Sequence, residues 1–584
     1  MKYSSIPSAQ TVVHHCKENG IKNIVISPGS RNAPLTIGFT EDSFFSCFSI
    51  VDERCAAFFA LGIAQQLLEP VVVLCSSGSA LLNYYPAIAE AFYSDIPLVV
   101  ISADRPSYKI DIGDGQTIRQ KNVFEKHIGY TANLKQDVSH ATNTIRSFGE
   151  ELFPTGLKID AVQMQVQSYN DAELQKALSF AVISKTPVHI NVPFEEPLYE
   201  TLDAPSVIPF ILEKEEFPVK IDDLKEFTDA WNTATRKMVL VGVNRPNTVE
   251  QQFLDELAED GSVIVLTETT SNLHHPNFYP SIDSIVASIE KAEYKDRLFK
   301  ALQPDILLTF GGLVVSKKIK AFLRTYTPKH HWHVDKKKAN NTFYCLSHHF
   351  KLDINTFFNK FLEQTIIVDS NYGNYWASVR QGITIKREEY IRNLPYSDFL
   401  VFSKLIAAIP ENYQLQLANS STVRYAQLFN LKPSINVFCN RGTSGIDGST
   451  STAIGAALYY EQPTVLFTGD LSFFYDSNGL WNNYIKPSFR IIVINNAGGG
   501  IFRILPGQEE THNYETFFET THNLNAKNLC TTYGIEYSMA DSEETLENGL
   551  QDFYKNSERP KLLEVNTPRL LNNKILLSYF DFIS

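Results

Sequence analysis

The sequence predicts an α/β protein of three domains built on mostly parallel sheets, with the first and third domains as related copies. Three observations lead to this prediction. Apolar strands alternate with helical stretches, one shift of the numbering aligns two distant segments, and 584 residues suit about three to four domains. The predicted domains span residues 1–200, 205–375 and 390–584.

The first two domains follow the alternation of strand and helix that is typical of βαβ units. Polar, irregular stretches near 202–216 and 380–395 are predicted to separate the domains. The predicted strands are Asn23 to Ser27, Val71 to Cys75, Leu98 to Ser102, Met238 to Val243, Ser262 to Thr267, Ile306 to Phe310 and His331 to Val334.

The repeat appears when the numbering is shifted by 393 positions, without a gap. Under this single shift, glycine, proline and arginine residues align with identical residues. Chance alignment of apolar segments would not produce such identities. The matched pairs are Gly62 with Gly455, Pro70 with Pro463, Val72 with Val465, Ser79 with Ser472, Val100 with Val493, Ser27 with Ser420 and Arg31 with Arg424.

Two strands of the third domain end in candidate metal ligands. The strand from Thr464 to Thr468 leads into Asp470, and the strand from Arg490 to Ile494 leads into Asn496. A strand, a crossover helix and a parallel strand take about 30 residues, and both strands then end at the same edge of the sheet. Asp470, Asn496 and a backbone carbonyl of the glycine turn at Gly498 would offer oxygen ligands to Mg²⁺. The alternative is an ordinary strand-end aspartate and an Asn-Gly turn.

The two copies differ at these chemical positions. Asp470 and Asn496 align with Ser77 and Ala103, so only the second copy is predicted to chelate a metal. The first copy instead places Glu53 at the start of an apolar helix. As an alternative, Glu53 is a charge that the helix dipole favours in the first turn.

Composition excludes several classes of partner. A net charge of −13 argues against nucleic acid or an anionic membrane, which need a basic surface. Seven cysteines without paired spacing fit a reduced, cytoplasmic chain. The N-terminus has no apolar signal core, and no apolar run reaches the 18 or so residues of a transmembrane segment.

The Gly-Asp and Asn-Asn motifs, with two related units flanking a third, resemble those of the thiamine-diphosphate enzymes. The resemblance implies a pyrimidine-binding first domain and a diphosphate-binding third domain. It implies that Glu53 activates the cofactor's aminopyrimidine ring, and that Asp470, Asn496 and Gly498 hold Mg²⁺, with Mn²⁺ as an alternative. The other implied cofactor contacts are Ser77, Gly78, Asn419, Ser420, Ile446, Gly469, Leu471, Ser472, Ile501 and Phe502.

A set of arginine motifs narrows the resemblance. Ser27-Pro28-Gly29-Ser30-Arg31, Asp104-Arg105-Pro106 and Asn440-Arg441-Gly442 are similar to those of the menaquinone-pathway 2-succinyl-5-enolpyruvyl-6-hydroxy-3-cyclohexene-1-carboxylate synthases. The resemblance implies a transferase that decarboxylates 2-oxoglutarate and adds the succinyl-semialdehyde carbanion to isochorismate. An acidic protein needs local cations to bind two dicarboxylates. The implied substrate contacts are Ser30, Arg31, Arg105, Gln116, Lys317, Lys318, Ser420, Arg424 and Arg441.

Alternatives remain open at this point. Another thiamine-diphosphate 2-oxoacid decarboxylase or carboligase, such as an acetohydroxyacid synthase, would share Glu53, Asp470 and Asn496, although the arginine set disfavours small monocarboxylates. A non-catalytic paralogue would lack the activating glutamate, and a nucleotide-binding oxidoreductase would need a glycine fingerprint that the sequence lacks. The resemblance also implies a homodimer or a dimer of dimers.

Overall fold

A computed structural model describes residues 2–210, 223–504 and 511–584. The part of the predicted boundary segment beyond Phe210 therefore lies outside the described residues. The strands are β1 Tyr3–Ser4, β2 Asn23–Ile26, β3 Ser46–Ser49, β4 Val71–Cys75, β5 Leu98–Asp104, β6 Tyr130–Asn133, β7 Val188–Pro193, β8 Thr201–Leu202, β9 Lys237–Val241, β10 Val263–Leu266, β11 Ile306–Phe310, β12 His330–Val334, β13 Leu346–Phe350, β14 Gln414–Leu417, β15 Asn436–Cys439, β16 Thr464–Gly469, β17 Arg490–Asn495, β18 Glu536–Ala540 and β19 Lys561–Asn566.

Helices lie between most of these strands. They are α1 Pro7–Glu18, α2 Ala33–Glu41, α3 Glu53–Leu67, α4 Ser79–Asn83, α5 Tyr85–Ser94, α6 Thr142–Phe148, α7 Ile159–Ser184, α8 Lys225–Thr233, α9 Gln251–Glu259, α10 Ile282–Glu290, α11 Lys295–Leu302, α12 Lys317–Thr325, α13 Ile354–Leu362, α14 Tyr372–Arg392, α15 Asp398–Ala408, α16 Ser421–Ala426, α17 Ser449–Tyr459, α18 Asp470–Tyr475, α19 His512–Tyr514, α20 Lys527–Thr532, α21 Glu543–Phe553 and α22 Asn572–Phe582.

The chain forms two compact units. The first consists of Met1–Glu216, Gly442–Glu461 and Ser472–Phe489, and the second of Phe217–Arg441, Gln462–Leu471 and Arg490–Ser584. The predicted α/β class is confirmed. The division into domains 1–200, 205–375 and 390–584 stays a prediction, because the two units alternate along the chain.

The first unit contains a six-stranded parallel sheet in the order β3-β2-β4-β5-β7-β6. Its central strand β4 reads Val-Val-Val-Leu-Cys, and all five residues are buried. A parallel strand with helices on both sides of its sheet needs such a continuous apolar run, since neither face meets water.

The second unit contains two parallel sheets, in the orders β10-β9-β11-β12-β13 and β15-β14-β16-β17-β19-β18. Its long helix α14 corrects one prediction, since residues 380 to 392 are helical rather than irregular. The buried residues of α14 are only Tyr372, Trp376, Ile383 and Arg387. Because so little of α14 faces the core, its sequence is polar enough to resemble a linker.

The two six-stranded sheets share one strand order, which confirms the predicted repeat. The ungapped shift of 393 positions fails in part, however. Val72 pairs with Val99, so the shift predicts that its counterpart Val465 pairs with residue 492. Val465 instead pairs with Arg490, which displaces β17 by two residues. The connection between these strands is two residues longer in the first copy. Arg105, not Ala103, is therefore the counterpart of Asn496.

The same displacement affects β2 and β14. Ile24 pairs with Val72, and Leu415 pairs with Val465, so the counterpart of Ile24 is Leu415. The predicted matches of Ser27 with Ser420 and of Arg31 with Arg424 are therefore each two residues out of structural register. Their shared residue types do not reflect equivalent positions.

Helices α3 and α17 of the first unit cross at two glycines that the repeat does relate. A Cβ atom added to Gly62 would lie 2.0 Å from the carbonyl oxygen of Thr452, and one added to Gly455 would lie 2.0 Å from that of Phe59. The 393-position shift carries Gly62 to Gly455 and Phe59 to Thr452, so the two contacts are reciprocal. This close approach of two backbones requires glycine at both positions.

Gly62→Ala is expected to destabilise the protein by about 1–3 kcal/mol or more, because the methyl group would force the two helices apart. Chemical denaturation measures the effect. Gly382→Ala is the control, since no atom lies within 4 Å of the added Cβ in helix α14, and alanine there should be neutral or stabilising by up to about 1 kcal/mol. Equal stability of the two variants would show that the crossing tolerates a side chain.

Candidate functional site

The candidate metal ligands meet at the carboxyl edge of the six-stranded sheet in the second unit. Strands β16 and β17 pair in parallel, with Gly469 opposite Ile494. Asp470 follows Gly469 directly and is buried, and its Oδ2 accepts a hydrogen bond from the backbone N–H of Gly498 at 2.9 Å. The predicted convergence of the two strand ends is therefore confirmed.

Asn496 lies in a polar cluster at the same edge. Its Nδ2 donates a hydrogen bond to Asp398 Oδ2 at 3.0 Å. Burial raises the pKa of Asp398 to about 6, and the negative charge of nearby Asp470 adds to the rise. Two buried carboxylates at one strand edge concentrate negative charge where a cation would be stabilised.

This set of donors fits a hard divalent cation carried by a diphosphate. In the ranges that the structure describes, no group of three His, Cys, Asp or Glu side chains is placed to hold a metal ion. A cation at Asp470 would therefore need the Asn496 amide oxygen, a backbone oxygen and phosphate oxygens. His522 is a further neighbour, with Nε2 3.3 Å from Asp470 Oδ2.

The glycine turn after Asn496 brings the backbone close to its surroundings. Gly498 has φ of +147°, and an added Cβ would lie 2.8 Å from the carbonyl oxygen of Glu519. Only glycine fits this position. Ile501 and Phe502 follow in the short 3-10 helix Gly500–Ile504 and are half-buried.

Four of the predicted cofactor and substrate residues lie together in the second unit. Arg441 is buried, and its Nη1 donates to Asn419 Oδ1 at 2.7 Å. Arg424 Nη1 donates to the carbonyl oxygen of Ser420 at 2.6 Å. Burial lowers the pKa of Arg424, and the positive charge of Arg441 lowers it further. Two partly desolvated cations that repel each other form a site that an anion would stabilise.

The predicted lysines lie on helix α12 in different surroundings. Lys317 is exposed, whereas Lys318 pairs with Glu290 and lies 5.1 Å from the ring centroid of Phe580. Lys320, which no sequence motif identifies, lies among other charges. Burial lowers its pKa, the positive charges of Arg441, Arg324 and Arg424 lower it further, and the negative charge of Glu268 opposes the shift. Residues two apart on a helix do not share a face, so Lys318 and Lys320 meet different neighbours.

Glu268 fixes the start of α12. Its carboxylate accepts the backbone N–H groups of Val315 and Ser316, both at 2.7 Å. Burial raises the pKa of Glu268 to about 7, although both hydrogen bonds and the charge of Arg441 oppose the rise. No local motif identifies Glu268, because it follows β10 far upstream of the helix that it holds.

In the first unit, the residues on either side of Glu53 anchor the start of α3. Asp52 Oδ2 accepts a hydrogen bond from Asn478 Nδ2 at 2.8 Å. Arg54 Nη2 donates to the carbonyl oxygen of Tyr475 at 2.7 Å, and its guanidinium lies 4.5 Å from the Tyr475 ring centroid. The backbone at Glu53 is thereby held on both sides.

The Glu53 side chain itself makes few contacts. It is half-buried, and Asn83 Nδ2 donates to its Oε2 at 3.4 Å, a long hydrogen bond. An anchored backbone with a lightly held carboxylate is suited to exchanging a proton with a bound group.

Four predicted residues come together at the ends of β4 and β5. Ser77 Oγ donates to the carbonyl oxygen of Gln116 at 2.8 Å, and an added Cβ on Gly78 would lie 3.0 Å from the same residue. Arg105 Nη2 donates to the neighbouring carbonyl of Gly115 at 2.8 Å, and the Gln116 side chain is exposed.

Arg31 lies near this group in the first unit, since its positive charge and that of Arg105 both oppose the rise that burial causes in the pKa of Asp104. It is 3% exposed, donates to the carbonyl oxygen of Phe194 at 3.2 Å, and pairs with Glu196 at 3.0 Å. Ser30 beside it is exposed. Arg31 Nε is buried without a hydrogen-bond partner, so Glu196 does not occupy every donor of the guanidinium.

The remaining predicted cofactor residues lie around α18. Ser472 Oγ donates to the carbonyl oxygen of Ile446 at 2.7 Å, and the backbone N–H of Leu471 donates to Asp470 Oδ1 at 2.7 Å. Ile446 is a partly exposed apolar side chain. The first contact holds Ile446 within the first unit, and the second caps the Asp470 carboxylate within the second unit.

Comparison with known proteins identifies the family of this chain. Residues 8–129 match the N-terminal TPP-binding domain of thiamine pyrophosphate enzymes, and residues 419–565 match the C-terminal TPP-binding domain. A 2-succinyl-5-enolpyruvyl-6-hydroxy-3-cyclohexene-1-carboxylate synthase from Christiangramia forsetii is 55% identical to this chain over 100% of both. The chain belongs to this synthase family.

Other members of the synthase family are similar over their whole length. The Flavobacterium johnsoniae enzyme is 51% identical, over 99% of both chains, and the Porphyromonas gingivalis enzyme is 35% identical, over 100% of this chain and 98% of its own. The chain is thus a thiamine-diphosphate-dependent enzyme. Among the described residues, none of the helices has the length and apolar character that crossing a bilayer requires.

Proposed function

We propose that this enzyme decarboxylates 2-oxoglutarate and transfers the remaining four-carbon unit to isochorismate, as a step of menaquinone biosynthesis. The observation that carries the proposal is the cationic group of Arg424, Arg441 and Lys320 in a protein of net charge −13. Dicarboxylate substrates need such concentrated positive charge, and small monocarboxylates need less of it. The names of the relatives support the same reaction.

The metal and cofactor contacts are proposed from the resemblance and from the geometry of the donors. Asp470, Asn496 and Gly498 would hold Mg²⁺, with Mn²⁺ as the alternative ion. When bound, thiamine diphosphate supplies a nucleophilic carbon that takes up the 2-oxoacid carbonyl and accepts the electrons released with CO₂. The other contacts would be Glu53, Ser77, Gly78, Asn419, Ser420, Ile446, Gly469, Leu471, Ser472, Ile501 and Phe502.

Glu53 is proposed as the catalytic acid and base. Its carboxyl group would hold a proton and exchange it with a ring nitrogen of the cofactor. The anchoring of Asp52 and Arg54 supports this role, because a proton acceptor must be placed within hydrogen-bond reach of its partner.

The substrate carboxylates are proposed to meet cations and hydroxyl groups. The proposed contacts are Ser30, Arg31, Arg105, Gln116, Lys317, Lys318, Ser420, Arg424 and Arg441. Lys320 is added to this set because it shares an electrostatic environment with Arg424 and Arg441. Lys318 is the weakest member, since Glu290 already neutralises it.

Arg424→Lys should raise the KM for a dicarboxylate substrate by about 10- to 100-fold, since a lysine cannot replace a bidentate, charge-assisted contact. Initial rates across a range of substrate concentrations measure this. The matched control is Arg297→Lys, which changes an exposed arginine of α11 in the same unit. Unchanged KM values for both substrates of Arg424→Lys would remove this residue from the binding set.

One assay separates the proposed reaction from that of another 2-oxoacid decarboxylase or carboligase. The protein is mixed with Mg²⁺, thiamine diphosphate, 2-oxoglutarate and isochorismate, and both CO₂ release and isochorismate loss are followed. We expect the two to proceed in equal amounts. CO₂ release without isochorismate consumption would instead favour the decarboxylase.

The proposed assembly is a homodimer or a dimer of dimers in the cytoplasm, as the family resemblance implies. The cysteines support a reducing compartment, since they have no paired spacing in the sequence and Cys16, Cys55, Cys75, Cys439 and Cys530 are buried. Sedimentation of the purified protein would give the number of chains.

A further inference from the structure

We propose that Asp398 is a positioning residue for the metal site: its carboxylate holds the Asn496 amide so that Oδ1, and not Nδ2, is turned toward the cation. This inference rests on the metal ligands proposed above and goes beyond them. Asp398 lies in no motif and belongs to helix α15, which starts almost 100 residues before Asn496.

The hydrogen bond between the two side chains determines which end of the amide faces Asp398. A carboxylate only accepts hydrogen bonds, so Asp398 Oδ2, 3.0 Å from Asn496 Nδ2, selects the nitrogen end. The oxygen end of the same planar amide must then point away. An unheld amide could turn and present its N–H₂ group, which cannot bind a cation.

Asp398 is itself held from two sides. Its Oδ1 accepts a hydrogen bond from Thr567 Oγ1 at 2.6 Å, and its backbone N–H donates to Asn572 Oδ1 at 2.8 Å. Thr567 follows β19, which pairs with β17 so that Asn566 lies opposite Asn495. Asp398 and Asn496 are therefore placed by neighbouring strand ends, and Asp398 is only 2% exposed. Such a rigid, dry setting lets one hydrogen bond decide the amide orientation.

A purely structural role for Asp398 predicts something different. An acidic residue in the first turn of α15 would stabilise the helix through its dipole, and its loss would lower stability only. A positioning role instead predicts a loss of metal affinity in folded protein. The two roles are therefore separated by measuring metal binding beside thermal stability.

Asp398→Asn is the first variant. Its amide can offer Asn496 either a donor or an acceptor, so the orientation at residue 496 is no longer fixed. We expect the Kd for Mn²⁺ to rise about 10- to 100-fold, the usual effect of changing a group that supports a metal ligand. Mn²⁺ is titrated into a mixture of the protein and thiamine diphosphate, and the electron paramagnetic resonance signal gives the concentration of free Mn²⁺. A titration of thiamine diphosphate without protein corrects for the Mn²⁺ that the cofactor binds alone.

The double variant Asp398→Asn with Asn496→Asp tests the mechanism. Both oxygens of a carboxylate can bind a cation, so residue 496 no longer needs to be held in one orientation, and the amide at 398 can donate to it. We expect the double variant to recover most of the Mn²⁺ affinity lost in Asp398→Asn. Affinity that stays as low as in the single variant would contradict the positioning role.

Asp476→Asn is the matched control. Asp476 is also a fully buried aspartate with its pKa raised to about 6 by burial, but it accepts hydrogen bonds from Ser451 in the first unit. Its Mn²⁺ titration should match that of the wild type. If the wild-type protein binds no Mn²⁺, the proposed metal site itself is wrong. If the wild type binds Mn²⁺ and Asp398→Asn binds it with the same affinity, only the role of Asp398 is wrong.

Discussion

Glu53→Gln is expected to bind thiamine diphosphate but to decarboxylate 2-oxoglutarate about 10²- to 10⁴-fold more slowly than the wild type. This factor is the usual contribution of a general acid or base. Glutamine keeps the size of the side chain and can still accept from Asn83. It cannot take up and return a proton. Single-turnover release of CO₂ measures the rate, and equilibrium dialysis measures the bound cofactor.

The control for this variant is Glu69→Gln, which removes an exposed carboxylate just after α3 in the same unit. It should leave both the rate and cofactor binding unchanged. If Glu53→Gln decarboxylated 2-oxoglutarate at a near-normal rate, an acid or base other than Glu53 would have to transfer the proton. Loss of cofactor binding together with activity would instead show that Glu53 contributes to binding.

Asp470→Asn is expected to weaken Mg²⁺-dependent binding of thiamine diphosphate by about 100-fold or more. Changing a group that only supports a metal ligand already lowers metal affinity by about 10- to 100-fold, and a ligand itself should contribute more. The amide keeps the shape but loses the charge that a hard cation requires. Activity measured against Mg²⁺ concentration should show a much higher requirement. Asp552→Asn, an exposed aspartate of the same unit, is the control.

Co-expression of Glu53→Gln and Asp470→Asn chains tests the proposed assembly. If the two residues that serve one cofactor come from different chains, mixed dimers contain one site with both residues intact, and part of the wild-type activity should return. No recovery in verified mixed dimers would indicate that both residues come from one chain.

Much of the fold and of the candidate site could be predicted from local patterns. Continuous apolar runs such as Val71 to Cys75 predict buried parallel strands, and the Asp470 and Asn496 motifs follow two of them. Parallel strands end at one edge, so the convergence of the motifs follows from chain geometry alone. The helix in residues 380–392 was missed, because a helix with a narrow buried stripe has the composition of a linker.

The sequence by itself determined the class of the fold, its internal repeat and the residues that give the family its chemistry, because these depend on spacing along the chain. Only the tertiary structure decided that Asp398 contacts Asn496, that Lys320 shares the surroundings of Arg424 and Arg441 while Lys318 pairs with Glu290, and that the repeat is displaced by two residues at β17. Those outcomes depend on which elements pack together, and no short stretch of sequence records contacts between residues that are far apart in the chain.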